Sequence, residues 1–235
     1  MTDAQPGSAL PDEIAKFNRL AAEWWDPAGP MAPLHAMNKL RTGWVDRHVP
    51  ARGRLLDVGC GAGLAAEAFA RLGYDVLGID AAPDAIAAAT AHADGADPRP
   101  RYRVATAEAL LEEGARFPVV TALEVIEHVA DPTRFLALLA GLLEPGGRLF
   151  LSTLNRTLRS LAVGKIGAEY VARLLPAGTH DWRRFVTPAE LDRAARGAGL
   201  RLAATRGMSY DLREREWRGS ADLSVNYLAM LTTAA

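Results

Sequence analysis

The chain has 235 residues, 49% of them hydrophobic and 23% charged, with a formal net charge of −1. That balance predicts one folded domain with a sizeable core and excludes a disordered chain, and the near-neutral charge argues against a nucleic-acid partner. A single cysteine, Cys60, excludes an internal disulfide and suits a reducing compartment; with no secretory-type start and no apolar run of the ~20 residues a bilayer span needs, the expected location is cytoplasmic, at most peripheral on the inner face of the membrane.

In chain order, Asp12 is placed to cap a helix running through Phe17 and Leu20 to Trp24 and Trp25, broken by Asp26-Pro27. A second helix is predicted over 34–48 and stopped by Pro50. These two helices precede the first strand and form a cover for a pocket. The pattern then changes to short apolar strands (54–58, 75–80, 102–106, 118–123 and 148–154) separated by helices at 64–72, 83–93 and 132–143. Alternation of this kind predicts an α/β fold with a mostly parallel sheet and helices on both faces. Residues 155–185 are too long for a simple connection and read as an insertion. A helix at 188–198, a strand at 202–205 and an apolar stretch at 225–231, read as an antiparallel edge strand, complete the chain. The whole, 1–235, is one domain: N-terminal helices at 12–50, a ligand-binding core at 51–154, the insertion at 155–185, and the end of the sheet at 186–235.

Asp57-Val58-Gly59-Cys60-Gly61-Ala62-Gly63 follows the first strand and opens a helix. Glycines there let the backbone turn tightly and let a ligand approach closely; Gly59 and Gly61 are the candidate contacts. The second strand ends at Asp80, where a carboxylate can accept both hydroxyls of a ribose. A dinucleotide fingerprint needs its third glycine one position later, where Leu64 stands. This spacing disfavours a nicotinamide-dependent oxidoreductase, the rival reading from another class.

Leu56 to Gly63, Gly78-Ile79-Asp80 and Leu142-Leu143-Glu144-Pro145-Gly146-Gly147 resemble, in order, the motifs of class I S-adenosylmethionine-dependent methyltransferases. That resemblance implies a Rossmann-like, seven-stranded sheet with its last strand antiparallel, and S-adenosyl-L-methionine as cofactor. Pro118 departs from the usual motif, and only a local edge effect is expected there. A narrower resemblance rests on Phe17 to Pro27, on Ser152-Thr153-Leu154-Asn155-Arg156-Thr157, on Gly167-Ala168-Glu169-Tyr170 with Gly178-Thr179-His180-Asp181-Trp182, and on Asp222 to Tyr227. Together these strings resemble the ubiquinone-biosynthesis O-methyltransferase family. The resemblance implies methylation of hydroxyls on polyprenylated catechol and demethylubiquinol rings at two steps of one pathway. It also assigns the donor to Arg41, Gly59, Asp80 and Leu123. Another small phenolic acceptor is the nearer alternative. The Asn/Asp-Pro-Pro-aromatic string of enzymes that methylate base amines is missing, which favours an oxygen acceptor.

After the fourth strand come Glu124, Glu127 and His128. On a helical turn these three would converge, a set that suits Mg²⁺, and the family resemblance places a metal on them. A metal would favour the phenolate of the acceptor; alternatively His128 serves as general base, with Glu124 as a second catalytic group. In the insertion, Leu158, Leu161, Val163 and Ile166 interleave with Arg156, Arg159 and Lys165. That pattern fits either a lid over the pocket or a helix lying on an anionic membrane surface. Other ubiquinone-biosynthesis proteins remain open as partners.

Overall fold

The computed structural model describes residues 7–162, 181–211, 213–214 and 216–233. Its centre is a sheet of strands β1 (Arg54–Val58), β2 (Asp75–Asp80), β3 (Arg101–Val104), β4 (Phe117–Leu123), β5 (Leu143–Leu154), β6 (Leu200–Asp211), β7 (Glu216–Ser220) and β8 (Asn226–Thr233). The order is β3-β2-β1-β4-β5-β8-β6-β7. Strands β1 to β5 pair in parallel, and β8, β6 and β7 pair antiparallel.

The two-residue period of the strands divides the apolar side chains between two cores. Leu56 and Val58 of β1, Val120 and Ala122 of β4, and Leu149 and Leu151 of β5 face one core. It is closed by Leu110 of α5 (Ala107–Glu112), Phe135 and Leu139 of α6 (Pro132–Gly141), and Leu191 of α8 (Pro188–Gly197). Leu55, Val119, Leu123 and Phe150, one position out of phase, face the other core. There α2 (Ala32–Arg47) and α3 (Leu64–Arg71) supply Met37, Trp44, Val45, Ala66 and Phe69. The remaining helices are α1 (Pro11–Leu20), α4 (Pro83–His92) and the single turn α7 (Leu158–Ser160).

Two expectations need correction. Among the described residues the sheet has eight strands, not seven, because β6 runs on to Asp211 and folds back as a hairpin with β7. The C-terminal strand is not an edge: β8 lies between β5 and β6. Burial explains its place, since Tyr227, Leu228, Ala229 and Leu231 are all fully buried, on both faces of the sheet. Helix α5 was not expected; Thr106 caps it by accepting from the Ala109 N–H at 3.4 Å. Pro118 falls where the β4–β5 register shifts, a position that tolerates a residue lacking an N–H. The amphipathic segment expected in the insertion lies largely outside the described residues, at 163–180. No helix among the described residues is long and apolar enough to cross a membrane.

Candidate active site

The chain moves outward from β1 to β2 and β3, then returns to β4 on the other side of β1. Such a reversal opens a crevice at the carboxyl ends of the strands. Here the crevice is a cavity of about 690 Å³ under the N-terminal cover. Its lining includes Gly59, Asp80, Leu123, Glu124 and His128, together with Glu13, Phe17, Trp24, Met31 and Met37 of the cover and Leu154, Trp217 and Asn226 from the far strands.

The glycine turn is shaped as its sequence requires. Gly59 and Gly61 have φ of 68° and 54°. A Cβ at Gly61 would stand 2.1 Å from the Trp24 ring, and one at Gly59 would stand 2.6 Å from Val125. Glycine is thus demanded twice over, by backbone conformation and by close packing. The Asp80 carboxylate accepts the Gly61 N–H at 2.9 Å and the Ala82 N–H at 2.8 Å, which pins the turn to the end of β2. Burial pushes the Asp80 carboxyl upward despite those two hydrogen bonds.

Behind the cavity lies a buried ionic group. Arg41 is 3% exposed; its Nη2 donates to the Leu34 carbonyl at 3.3 Å, and its Nη1 stands 3.9 Å from Glu124 Oε1. Desolvation lowers its pKa, opposed by the charges of Glu124, Asp57 and Glu127. Asp57 is pushed up to about 6 by burial, although Thr121 donates to it at 2.6 Å and Arg41 attracts it. Glu124 is the only non-glycine residue among those described with a positive φ, 58°. Its N–H donates to the Ser152 carbonyl at 3.0 Å and to Ser152 Oγ at 3.1 Å. A non-glycine residue held in this region costs on the order of 1–3 kcal/mol and is commonest at functional sites.

The three expected metal ligands do not come together. Ile126–His128 forms a 3-10 turn, in which successive side chains leave the axis about a third of a turn apart. Glu127 therefore enters the core, where Thr153 Oγ1 donates to it at 2.9 Å. Burial and the neighbouring Glu124 raise its pKa well above the carboxylate range. His128 turns to the cavity wall, its Nδ1 3.1 Å from Glu13. Among the described residues no group of three His, Cys, Asp or Glu side chains is placed to hold a metal ion. Glu124 and Glu127, three residues apart, remain neighbours, and Oε1 of each accepts no hydrogen bond.

Of the expected site residues, then, Gly59, Asp80, Leu123, Glu124 and His128 share the cavity, while Arg41, Gly61 and Glu127 support it from behind. Sequence reasoning missed Glu13 and the roles of the two tryptophans. Trp24 lies on Gly61; Trp25 stacks on His92 with centroids 3.4 Å apart and donates from Nε1 to the Ala62 carbonyl at 2.9 Å. The signal for Glu13 was its place four residues before Phe17, on one helix face.

A methyltransferase-domain family model matches residues 33–205. Curated relatives named ubiquinone biosynthesis O-methyltransferase include one from Azorhizobium caulinodans, 48% identical, with 92% of this chain and 91% of the relative covered. Another, from Leptothrix cholodnii, is 46% identical, with 94% and 96% covered. Among solved structures, magnesium protoporphyrin IX methyltransferase from Synechocystis with bound SAH superposes with a TM-score of 0.66 at 20% identity, covering 94% of this chain and 95% of that one. A possible histamine N-methyltransferase from Thermotoga maritima gives 0.64 at 17%, covering 94% and 99%. At those identities the superpositions speak for the fold, and the sequence relatives carry the assignment: the chain belongs to the methyltransferases and, within them, to the family of the ubiquinone biosynthesis O-methyltransferases.

Proposed function

We propose that this protein transfers a methyl group from S-adenosylmethionine to hydroxyl oxygens of polyprenylated catechol and demethylubiquinol rings, at two steps of ubiquinone biosynthesis. The observation that carries this reading is one continuous cavity with a glycine turn and a ribose-type acid at one end, His128 in its wall, and a mainly apolar remainder formed by Leu20, Trp24, Met31, Leu154 and Trp217. An apolar enclosure of this size suits a substituted ring with the start of an isoprenoid tail.

When bound, S-adenosylmethionine supplies a methyl group activated by its sulfonium. Gly59 admits the donor's approach, Asp80 accepts from the ribose hydroxyls, and Leu123 packs at the end of β4 beside it. Arg41, a planar donor fork buried near the end of the crevice, suits the methionyl carboxylate. A neutral phenol is a weak nucleophile, so its proton must leave as oxygen attacks; His128 accepts it. The chain's main contribution is alignment in a dry enclosure, since attack on a methyl group requires an in-line approach.

The same reading includes Mg²⁺. Glu124 and Glu127 would hold it: Oε1 of each accepts no hydrogen bond, although Arg41 stands 3.9 Å from that of Glu124, and the ion would there favour an ionised catechol oxygen. The acceptor's tail belongs to a bilayer, so peripheral contact of 155–185 with an anionic membrane, and cooperation with other ubiquinone-biosynthesis proteins, complete the proposal.

The test is a methyl-transfer assay with a short-chain demethylubiquinol, with and without stringent chelation. Product formation lost in Asp80→Ala, with S-adenosylhomocysteine binding weakened at least about tenfold, is the expected result. Transfer to amines but not to catechols would overturn the acceptor assignment, and full activity after chelation would remove the metal.

A further inference from the structure

The ring of His128 is gripped from the N-terminal cover. Glu13 Oε2 lies 3.1 Å from His128 Nδ1. Phe17, one turn further along α1, meets the same ring edge-on at 5.4 Å and 85°. The backbone beside it is also stitched to the cover: Ala9 bridges Val129, and the Ala130 N–H donates to the Ser8 carbonyl at 3.2 Å. Ser8 is itself fixed by Glu108, which accepts its N–H at 2.7 Å and its hydroxyl at 3.1 Å. A segment more than a hundred residues distant in sequence thus meets the turn carrying His128 at four points.

We propose that Glu13 is a positioning residue for His128: its carboxylate accepts the Nδ1–H, which fixes the ring's orientation and leaves Nε2 as the basic nitrogen. This rests on the reading of His128 as proton acceptor. In a neutral imidazole one nitrogen donates and the other accepts, and the partner of the first decides which is which. A carboxylate on Nδ1 selects the tautomer. Lys16 Nζ lies 3.3 Å from Oε2, and Arg184 Nη1 lies 3.9 Å from Oε1. The carboxylate is therefore held from three sides. Because Glu13 sits on the cover, the oriented base exists only while α1 is docked, and the cover becomes part of the catalytic apparatus.

The test uses the full chain with a short-chain catechol acceptor. Glu13→Ala is expected to lower kcat about 10–100-fold, the usual loss when a histidine's carboxylate partner is removed. Acceptor KM and S-adenosylhomocysteine affinity should each move by less than about threefold, since neither is held by Glu13. Glu13→Asp should recover part of kcat. The double variant Glu13→Ala/His128→Asn should lose no more than His128→Asn alone, the signature of two residues acting as a unit. Two-bond ¹⁵N–¹H spectra should show His128 as the Nδ1–H tautomer in the native chain and a shift toward Nε2–H in Glu13→Ala. If the alanine variant does not fold, Glu13→Leu, which fills the same space with no acceptor, answers the same questions. Native kcat with an unchanged tautomer in either variant overturns the proposal, as do losses that multiply independently in the double variant. If His128→Asn itself keeps full kcat, the reading of His128 fails instead, and the tautomer spectrum still reports whether Glu13 holds the ring.

Discussion

A carboxylate kept out of water among other charges makes stability depend on pH, and Asp57 is the clearest case. It is 2% exposed, and burial lifts it from 3.8 to about 6 in spite of Thr121 and Arg41. A folded-state pKa above the unfolded one means that the folded chain binds the proton more tightly. Asp57 therefore contributes its full stability below pH 3.8 and loses it progressively as pH rises through about 6. The interval corresponds to about 3 kcal/mol. Asp57→Asn keeps an oxygen for the Thr121 hydroxyl and carries no charge. Its stability relative to the native chain should thus rise between pH 4 and pH 7, by up to about 3 kcal/mol in chemical denaturation. A difference that stays flat over that range would mean that Arg41 alone satisfies the charge. The retention of a strained Glu124 and a buried Arg41 within 4 Å of each other fits the same picture: the site holds charge at a cost to the fold.

Among the elements, the N-terminal cover has the least core of its own. No residue of α1 is buried, and the small cluster under the cover consists of Trp24, Met31 and Ala62. The Trp-Trp pair supplies what α1 lacks. Trp25 bridges α4 and the glycine turn, stacking on His92 while donating to the Ala62 carbonyl, and His92 is braced by buried Glu67 at 2.7 Å. Trp25→Ala should free the cover without unfolding the sheet. Amide protection over 11–20 should fall toward that of an open segment in hydrogen exchange, with protection in β1, β4 and β5 retained. Equal loss in both regions would show that cover and sheet open together. The legible parts of the chain were those with a local period or a turn that needs glycine: β1, β2, β4, their connecting helices and the Asp57–Gly63 turn were all placed from spacing. What escaped were contacts between distant segments. Nothing near Glu13 announces His128, and the convergence expected of Glu124, Glu127 and His128 depended on an α-turn where the chain makes a tighter one.

At the scale of the molecule, the same limit explains the strand order. An apolar run such as 226–233 reads alike whether it lies at an edge or inside a sheet; only its partners decide. Here β8 pairs with β5 from Arg148↔Thr232 to Leu154↔Asn226, and with β6 on its other side from Leu200↔Thr233 to Gly207↔Tyr227. Among the described residues it is the sole link, through the sheet, between the parallel half and the β6–β7 hairpin. The hairpin in turn brings Trp217 to the cavity, whose lining also includes residues from Ser8 to Met37. The cavity is thus lined by both the N-terminal cover and the β6–β7 hairpin, and its far wall stands only while β8 is in place. Truncation after Ser224 should expose the edge of β5, leave Tyr227 and its hydrogen bond to the Val186 carbonyl (2.9 Å) unmade, and empty one core of Ala229 and Leu231. Losing four fully buried side chains, of which the large ones (Tyr227, Leu228 and Leu231) are worth roughly 1.5–3 kcal/mol each, consumes most of a typical domain's stability. The truncated chain should show no cooperative thermal transition in near-ultraviolet circular dichroism. A sharp transition with intact binding of S-adenosylhomocysteine would instead show that the parallel half, β1 to β5 with its helices, is a self-sufficient donor-binding unit.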